Sequence, residues 1–259
     1  TLSVGATDNC SASFTYSLSK DEVTWSSSLA YTCSDAGAVT VYVRANDGTN
    51  DGASTSVTLT LQDDQAPTVT ASDATVNLDG TGSVTISAAD VSASVTDNCA
   101  GVADVELSHN NASWASTLTF DCDSVGARTV YCRVSDGTNT SSSASVTLTV
   151  TDATGPTFST PGGAYALSSG AVTVSFAQVT GSSVADNCDA GGDLTVQISK
   201  TDSDWGTATT SVDFGCLDLG AQTVYLKATD SAGNESTGSV SITITGTDVD
   251  SDGICDASD

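Results

Sequence analysis

Asp8-Asn9-Cys10, Asp97-Asn98-Cys99 and Asp186-Asn187-Cys188 are one tripeptide met three times, at an interval of 89 residues (8 to 97, 97 to 186). Each copy opens the same series of landmarks. A second Cys follows at Cys33, Cys122 and Cys216, with Trp25, Trp114 and Trp205 standing before it. Next come Thr40-Val41-Tyr42, Thr129-Val130-Tyr131 and Thr223-Val224-Tyr225. Asp47, Asp136 and Asp230 then open a turn, written Asp-Gly-Thr-Asn twice and Asp-Ser-Ala-Gly-Asn once. Each series closes on an alternating run: Val57-Thr-Leu59-Thr-Leu61, Val146-Thr-Leu148-Thr-Val150, Val240-Ser-Ile242-Thr-Ile244. Landmarks in fixed order at a fixed period are an internal repeat, and a period of 89 residues is too long for a solenoid or propeller unit.

Residues 67–155 hold about seven runs of alternating apolar and polar residues separated by turn signals, with no helical periodicity of useful length. Alternation gives each strand one buried and one wet face, as in two packed antiparallel sheets. The predicted fold is therefore all-β: a tandem array of three immunoglobulin-like antiparallel β-sandwiches. Boundaries fall at Asp63-Asp64-Gln65-Ala66-Pro67 and Asp152-Ala-Thr-Gly155-Pro156. They set repeats at 1–66, 67–155 and 156–245, with an acidic tail at 246–259. The recurring Trp is expected between the sheets, where its large apolar area is best buried.

The first repeat is short. Thirty residues separate the boundary Pro from the Asp-Asn-Cys motif in the other two (67 to 97, 156 to 186), but only seven precede Asp8. The first sandwich is thus expected to lack its N-terminal strands and to present unpaired backbone at an edge. Either the chain is an excerpt of a longer array, or a neighbouring subunit supplies the strand. The chain has no Met, so Thr1 is not a translation start and a processed form or an excerpt is expected.

Composition bounds the function. Thirty-two acidic residues face six basic ones, a net charge of −26. Nucleic acid and anionic membranes are repelled by such a chain, whereas hard cations find many oxygen ligands in it. No run approaches the roughly 18 apolar residues of a membrane span. The eight cysteines lack metal-type CxxC pairs and read as disulfides formed in an oxidising, extracellular compartment. Equal spacing in the first two repeats suggests pairing within repeats: Cys10–Cys33, Cys99–Cys122 and Cys188–Cys216. Cys132 replaces Val43 and Leu226 on a core-facing strand position and is expected in the core. Cys255, in the tail, is the candidate for a bond to another chain or to a partner Cys further along a longer chain.

The succession Asp-Asn-Cys, Cys-x-x-x-Gly, Thr-Val, Asp-x-x-Gly-Asn and Val-x-Ile-x-Ile resembles the hyalin-repeat-like, immunoglobulin-like modules of bacterial secreted surface adhesins. The third repeat carries it best, through Cys216-Leu-Asp-Leu-Gly220 and Asp230-Ser-Ala-Gly-Asn234. A partial likeness to the calcium linkers of cadherins lies in Asn46-Asp47-Gly48 and Gln62-Asp63-Asp64-Gln65-Ala66-Pro67. The tail looks like a thrombospondin type 3 repeat. Its Asp248, Asp250, Asp252, Asp256 and Asp259 alternate with small residues around Gly253, as suits a loop wrapped round calcium. Calcium is accordingly expected at the tail and, secondarily, at the junctions.

No catalytic constellation emerges. The single His109 stands in a polar turn without a nucleophile at defined spacing, and no phosphate loop or zinc spacing occurs. The expected function is structural and extracellular, a segment or subunit of a surface fibre or adhesin stalk that associates with its own kind. A module binding a carbohydrate or cell-surface ligand is the alternative. Tyr42, Tyr131 and Tyr225, each two residues before Arg44, Arg133 or Lys227, form a recurring stripe opposite the core-facing Val. It is either rings covered by basic side-chain stems or a lateral contact strip.

Overall fold

The computed structural model describes residues 4–10, 13–99, 101, 103–190, 193–202, 205, 209–247 and 255. β-Branched and alternating segments form strands as read, and the only α-helix among the described residues is the single turn Phe176–Thr180. That turn is closed at its start by Ser175 and Gln178, each side chain taking the other's backbone N–H. It ends at Gly181, whose left-handed φ of 64° is the conformation glycine adopts most readily at a helix end.

The fold is a tandem array of immunoglobulin-like sandwiches, the first lacking its N-terminal strands. In the third repeat the sheet runs Gly163–Ala166, Glu235–Thr245, Gly220–Thr229, Thr195–Ser199. Its strands pair antiparallel except at one edge, where Gly163–Ala166 lies parallel to the closing strand. A second layer pairs Ala171–Ser175 with Ser211–Gly215. Between the layers Val174, Phe214, Ile198, Val224, Leu226, Ile242 and Ile244 form the core, every one at 2 % exposure or less. The second repeat repeats the plan, with sheet order Ala74–Asn77, Ala144–Thr151, Gly126–Arg133, Glu106–Ser108 and the pair Ser83–Ser87 with Thr117–Asp121.

The first repeat keeps one sheet, with Gly37–Asn46 between Thr15–Ser19 and Thr55–Leu61. Residues 28–32, which align with Thr117–Asp121 at the 89-residue offset, lie in no strand. The closing strand records the same deficit. Val146, Leu148 and Val150 are 7, 0 and 0 % exposed, while their counterparts Val57, Leu59 and Leu61 are only half-buried.

By compactness the chain gathers into two units. One comprises Thr1–Ser72, Ser87–Ser116 and Val130–Val146; the other comprises Asp73–Ile86, Thr117–Thr129 and Thr147–Asp259. Each unit holds one complete repeat junction, and the functional geometry is concentrated there.

Candidate functional site at the repeat junctions

The cysteines are paired across repeats, not within them. Cys33 bonds to Cys99, Cys122 to Cys188 and Cys216 to Cys255. The expected pairs Cys10–Cys33, Cys99–Cys122 and Cys188–Cys216 are therefore corrected, and Cys255, expected to bond another chain, closes onto Cys216 instead. The reason is strand length. Cys33 sits in the 3-10 turn that leads into Gly37–Asn46, while Asp8, two residues before Cys10, lines a hollow with Asp47 just past that strand's far end. Ten residues at about 3.3 Å each separate the two ends by roughly 33 Å, against the about 7 Å that a disulfide allows between Cα atoms. The motif of the following repeat lies at the turn instead, with Cα–Cα distances of 5.5 and 5.3 Å for the two cross-repeat bonds. Cys132 is buried at 0 % exposure opposite Leu107, as its strand position implies, and burial raises its thiol pKa.

Beside each cross-repeat disulfide stand three carboxylates. Asp63, Asp97 and Asp136 bring ligand oxygens within 4.8 Å of one another in one unit; Asp152, Asp186 and Asp230 do the same in the other. Each set draws one Asp from the end of the preceding repeat, one from the Asp-Asn-Cys motif and one from the Asp turn. The hydrogen bonds are congruent as well. The motif's Asp folds its Oδ2 under its own turn, accepting from Cys99 N at 3.1 Å and from Cys188 N at 2.9 Å, an Asx-turn in form. The motif's Asn reaches the preceding repeat: Asn98 Nδ2 donates to Asp63 Oδ1 at 3.3 Å, and Asn187 Nδ2 to Asp152 Oδ1 at 3.2 Å. The turn's Asn does likewise, Asn139 Nδ2 donating to the Asp63 carbonyl at 3.1 Å and Asn234 Nδ2 to the Asp152 carbonyl at 3.2 Å.

What these bonds leave over is negative oxygen. The Oδ1 atoms of Asp97 and Asp186, and Oδ1 of Asn187, are buried and accept no hydrogen bond among the described residues. Buried polar atoms are normally satisfied, and an orphaned carboxylate oxygen is costly unless a cation or proton meets it. Asp152 and Asp230 are 9 and 7 % exposed. Nor does a basic side chain answer the triads. Lys20, Arg44, Arg133, Lys200 and Lys227 pair with Asp35, Asp51, Glu106, Asp218 and Glu235, and Arg128 donates to the Ser124 and Asp123 carbonyls. The backbone and side-chain amide of Asn139 and the backbone N–H of Thr138 lower the pKa of Asp136, which keeps it anionic. A donor set of clustered carboxylate, amide and carbonyl oxygens without a nearby cationic side chain fits calcium, a hard cation that takes six to eight oxygens. The sequence named Asp63 and Asp47 as linker elements but read Asp97, Asp136, Asp186 and Asp230 only as repeat landmarks. Their recurrence was the available signal.

The other expected sites fall elsewhere. Asp248, Asp250, Asp252, Asp256 and Asp259 lie outside the described residues. Tyr42, Tyr131 and Tyr225 are half-buried on the outer sheet face, as alternation requires. The aromatic rings met by the basic stripe are not theirs. The guanidinium carbons of Arg44 and Arg133 stand 4.3 and 4.4 Å from the ring centroids of Trp25 and Trp114. Those Trp residues are half-buried on the outer face and not between the sheets as expected. A cation over the ring face rewards that placement, and the ion pairs Arg44–Asp51 and Arg133–Glu106 hold each cation there.

No protein-family model matches the chain, and no curated protein matches its sequence. Among solved structures, a titin I-band fragment is similar over 91 % of this chain and 89 % of its own, at 12 % identity and a TM-score of 0.45. Extracellular domains 3–5 of Drosophila OTK are similar over 83 % of this chain and 73 % of theirs, at 14 % identity and a TM-score of 0.34. The extracellular domain of protocadherin gamma B4 is similar over 90 % of this chain and 43 % of its own, at 15 % identity and a TM-score of 0.35.

Proposed function

We propose that this chain is an extracellular structural protein, a segment or subunit of a surface fibre or adhesin stalk. Its immunoglobulin-like repeats are joined at each junction by a disulfide and by a calcium ion held between repeats. The congruence of the two junctions carries this reading. Twice, in the same order along the sequence, the chain spends a disulfide, three carboxylates and two amide side chains on fastening one repeat to the next. A catalytic site needs such groups to face a substrate; here they face the neighbouring repeat. Asp63, Asp97 and Asp136 would hold one ion, and Asp152, Asp186, Asp230 and the Asn187 Oδ1 the other. The ion supplies the positive charge that the triads lack, and the chain's own Asn residues orient the linker carboxylates. Disulfides suit an oxidising, extracellular setting. The half-buried face of Val57, Leu59 and Leu61 supports completion of the first sandwich by a strand from a neighbour. The tail carboxylates are proposed as a further calcium loop on the strength of their sequence alone.

Calorimetric titration of the metal-free chain with calcium tests the junctions. Asp97→Asn and Asp186→Asn should each remove one binding event, and the double variant both, while sites in the tail persist. Binding isotherms unchanged in the double variant would refute the junctional sites.

A further inference from the structure

Carboxylate and sulfur are near neighbours along the chain at both junctions. Asp97, Asn98 and Cys99 are consecutive, and so are Asp186, Asn187 and Cys188. The Asp supplies an oxygen to the triad, the Asn amide holds the linker carboxylate, and the Cys bonds the 3-10 turn of the preceding repeat. The bond from Cys N to Asp Oδ2 fixes the first of these against the last. The Asn is shared more closely still. The Asn98 carbonyl oxygen lies 3.4 Å from Cys33 Sγ and its Nδ2 donates to Cys99 Sγ at 3.5 Å, while the Asn187 carbonyl oxygen lies 3.5 Å from Cys122 Sγ. Moving the motif's backbone away from the preceding repeat therefore separates carboxylates and sulfurs together.

One force opposes both fastenings. Three carboxylates with oxygens within 4.8 Å of one another repel, and the buried Oδ1 atoms of Asp97 and Asp186 meet no donor among the described residues. Without a cation, that repulsion pushes the motif off the preceding repeat, in the direction that parts the two sulfurs once their bond is reduced. With a cation it becomes attraction. The thiols are then held at bonding range, and closing a loop between residues 66 apart becomes a local event. We infer that calcium at each junction and the disulfide beside it are reciprocally coupled: bound calcium favours the oxidised bond, and reduction weakens calcium by the same factor. The joint is a two-input lock, fully fastened only where the medium is both oxidising and rich in calcium. The coupling rests on the calcium reading of the triads. Its redox step is a two-electron exchange with a dithiol from solution. The junction S–S bond takes up two electrons and two protons to give two thiols, and the dithiol closes to its own cyclic disulfide. Such a reagent has access, since Cys33 is exposed and Cys122 half-buried.

The test equilibrates the full chain in dithiothreitol buffers of graded redox ratio, with saturating calcium and with chelator. Thiols are trapped by alkylation, and peptide mass spectrometry reads Cys33–Cys99 and Cys122–Cys188 separately. Calcium should raise the formation constant of each bond about tenfold, a factor usual for coupled sites. Asp97→Asn should erase the shift at Cys33–Cys99 alone, and Asp186→Asn the shift at Cys122–Cys188 alone. Reciprocally, joint replacement Cys33→Ser and Cys99→Ser in the Asp186→Asn background should weaken calcium at the first junction by the same factor, read by calorimetry. Redox midpoints that calcium does not move, in a chain whose junctions bind calcium, overturn the coupling and leave the metal sites standing. Absence of junctional calcium binding overturns both. A shift at Cys33–Cys99 that survives Asp97→Asn overturns the coupling too, because calcium would then act from elsewhere in the chain.

Discussion

Single carboxylates do different work in this chain according to what their two oxygens meet. Asp21, in the turn after Thr15–Ser19, accepts from the backbone of Thr24 and Val23 and from the Ser19 hydroxyl. Those bonds, the Thr24 one largest, hold its pKa down to about 2 from the ordinary 3.8. A pKa depressed by folding means that the carboxylate contributes stability in full above the unfolded value and loses it as pH falls through the folded one. Asp21→Asn should therefore be less stable than the parent at pH 6. The two should converge as pH drops from about 4 to about 2, as thermal melts across that range would register. Asp97 and Asp186 are the opposite case, with one oxygen satisfied by the turn and the other buried and unanswered. They are the residues on which the calcium titration turns.

At the scale of elements, turns decide the fit of one repeat against the next. Gly82 has a φ of +75°, and a Cβ there would stand 2.6 Å from the Asn187 carbonyl oxygen and 2.7 Å from Cys122 Sγ. Gly82→Ala should cost about 2–4 kcal/mol, combining left-handed backbone strain with overpacking at the junction. Gly48 has a φ of +101° but open space around its Cβ position, so Gly48→Ala should cost only about 1 kcal/mol. Denaturant midpoints of the two variants check the difference. Much of this level was legible in the sequence. Strand alternation placed Val41, Val43 and Cys132 inward and Tyr42 and Arg44 outward. Alternation fails for a residue outside a regular strand, and Trp25 and Trp114 lie in short segments where size alone argued for the core. The Arg that holds each of them on the outer face is 19 residues away in sequence, and no local pattern links the two.

For the whole molecule, periodicity established the repeats but was neutral about how they are joined. Cys10 to Cys33 and Cys99 to Cys122 share one interval; Cys33 to Cys99 and Cys122 to Cys188 share another, a separation of 66 residues. Equal spacing supports either pairing, and only the length of Gly37–Asn46 separates them. The consequence is mechanical: a bond within a sandwich guards that sandwich, whereas a bond between sandwiches guards the joint. In the chain-entropy view, closing a 66-residue loop stabilises the folded array by about 4 kcal/mol. The measurement that tests this most directly is proteolytic mapping of the disulfides in the unreduced protein by mass spectrometry. Linked peptides joining Cys33 to Cys99 and Cys122 to Cys188 are predicted; peptides joining Cys10 to Cys33 and Cys99 to Cys122 would contradict the clamped junction at its root.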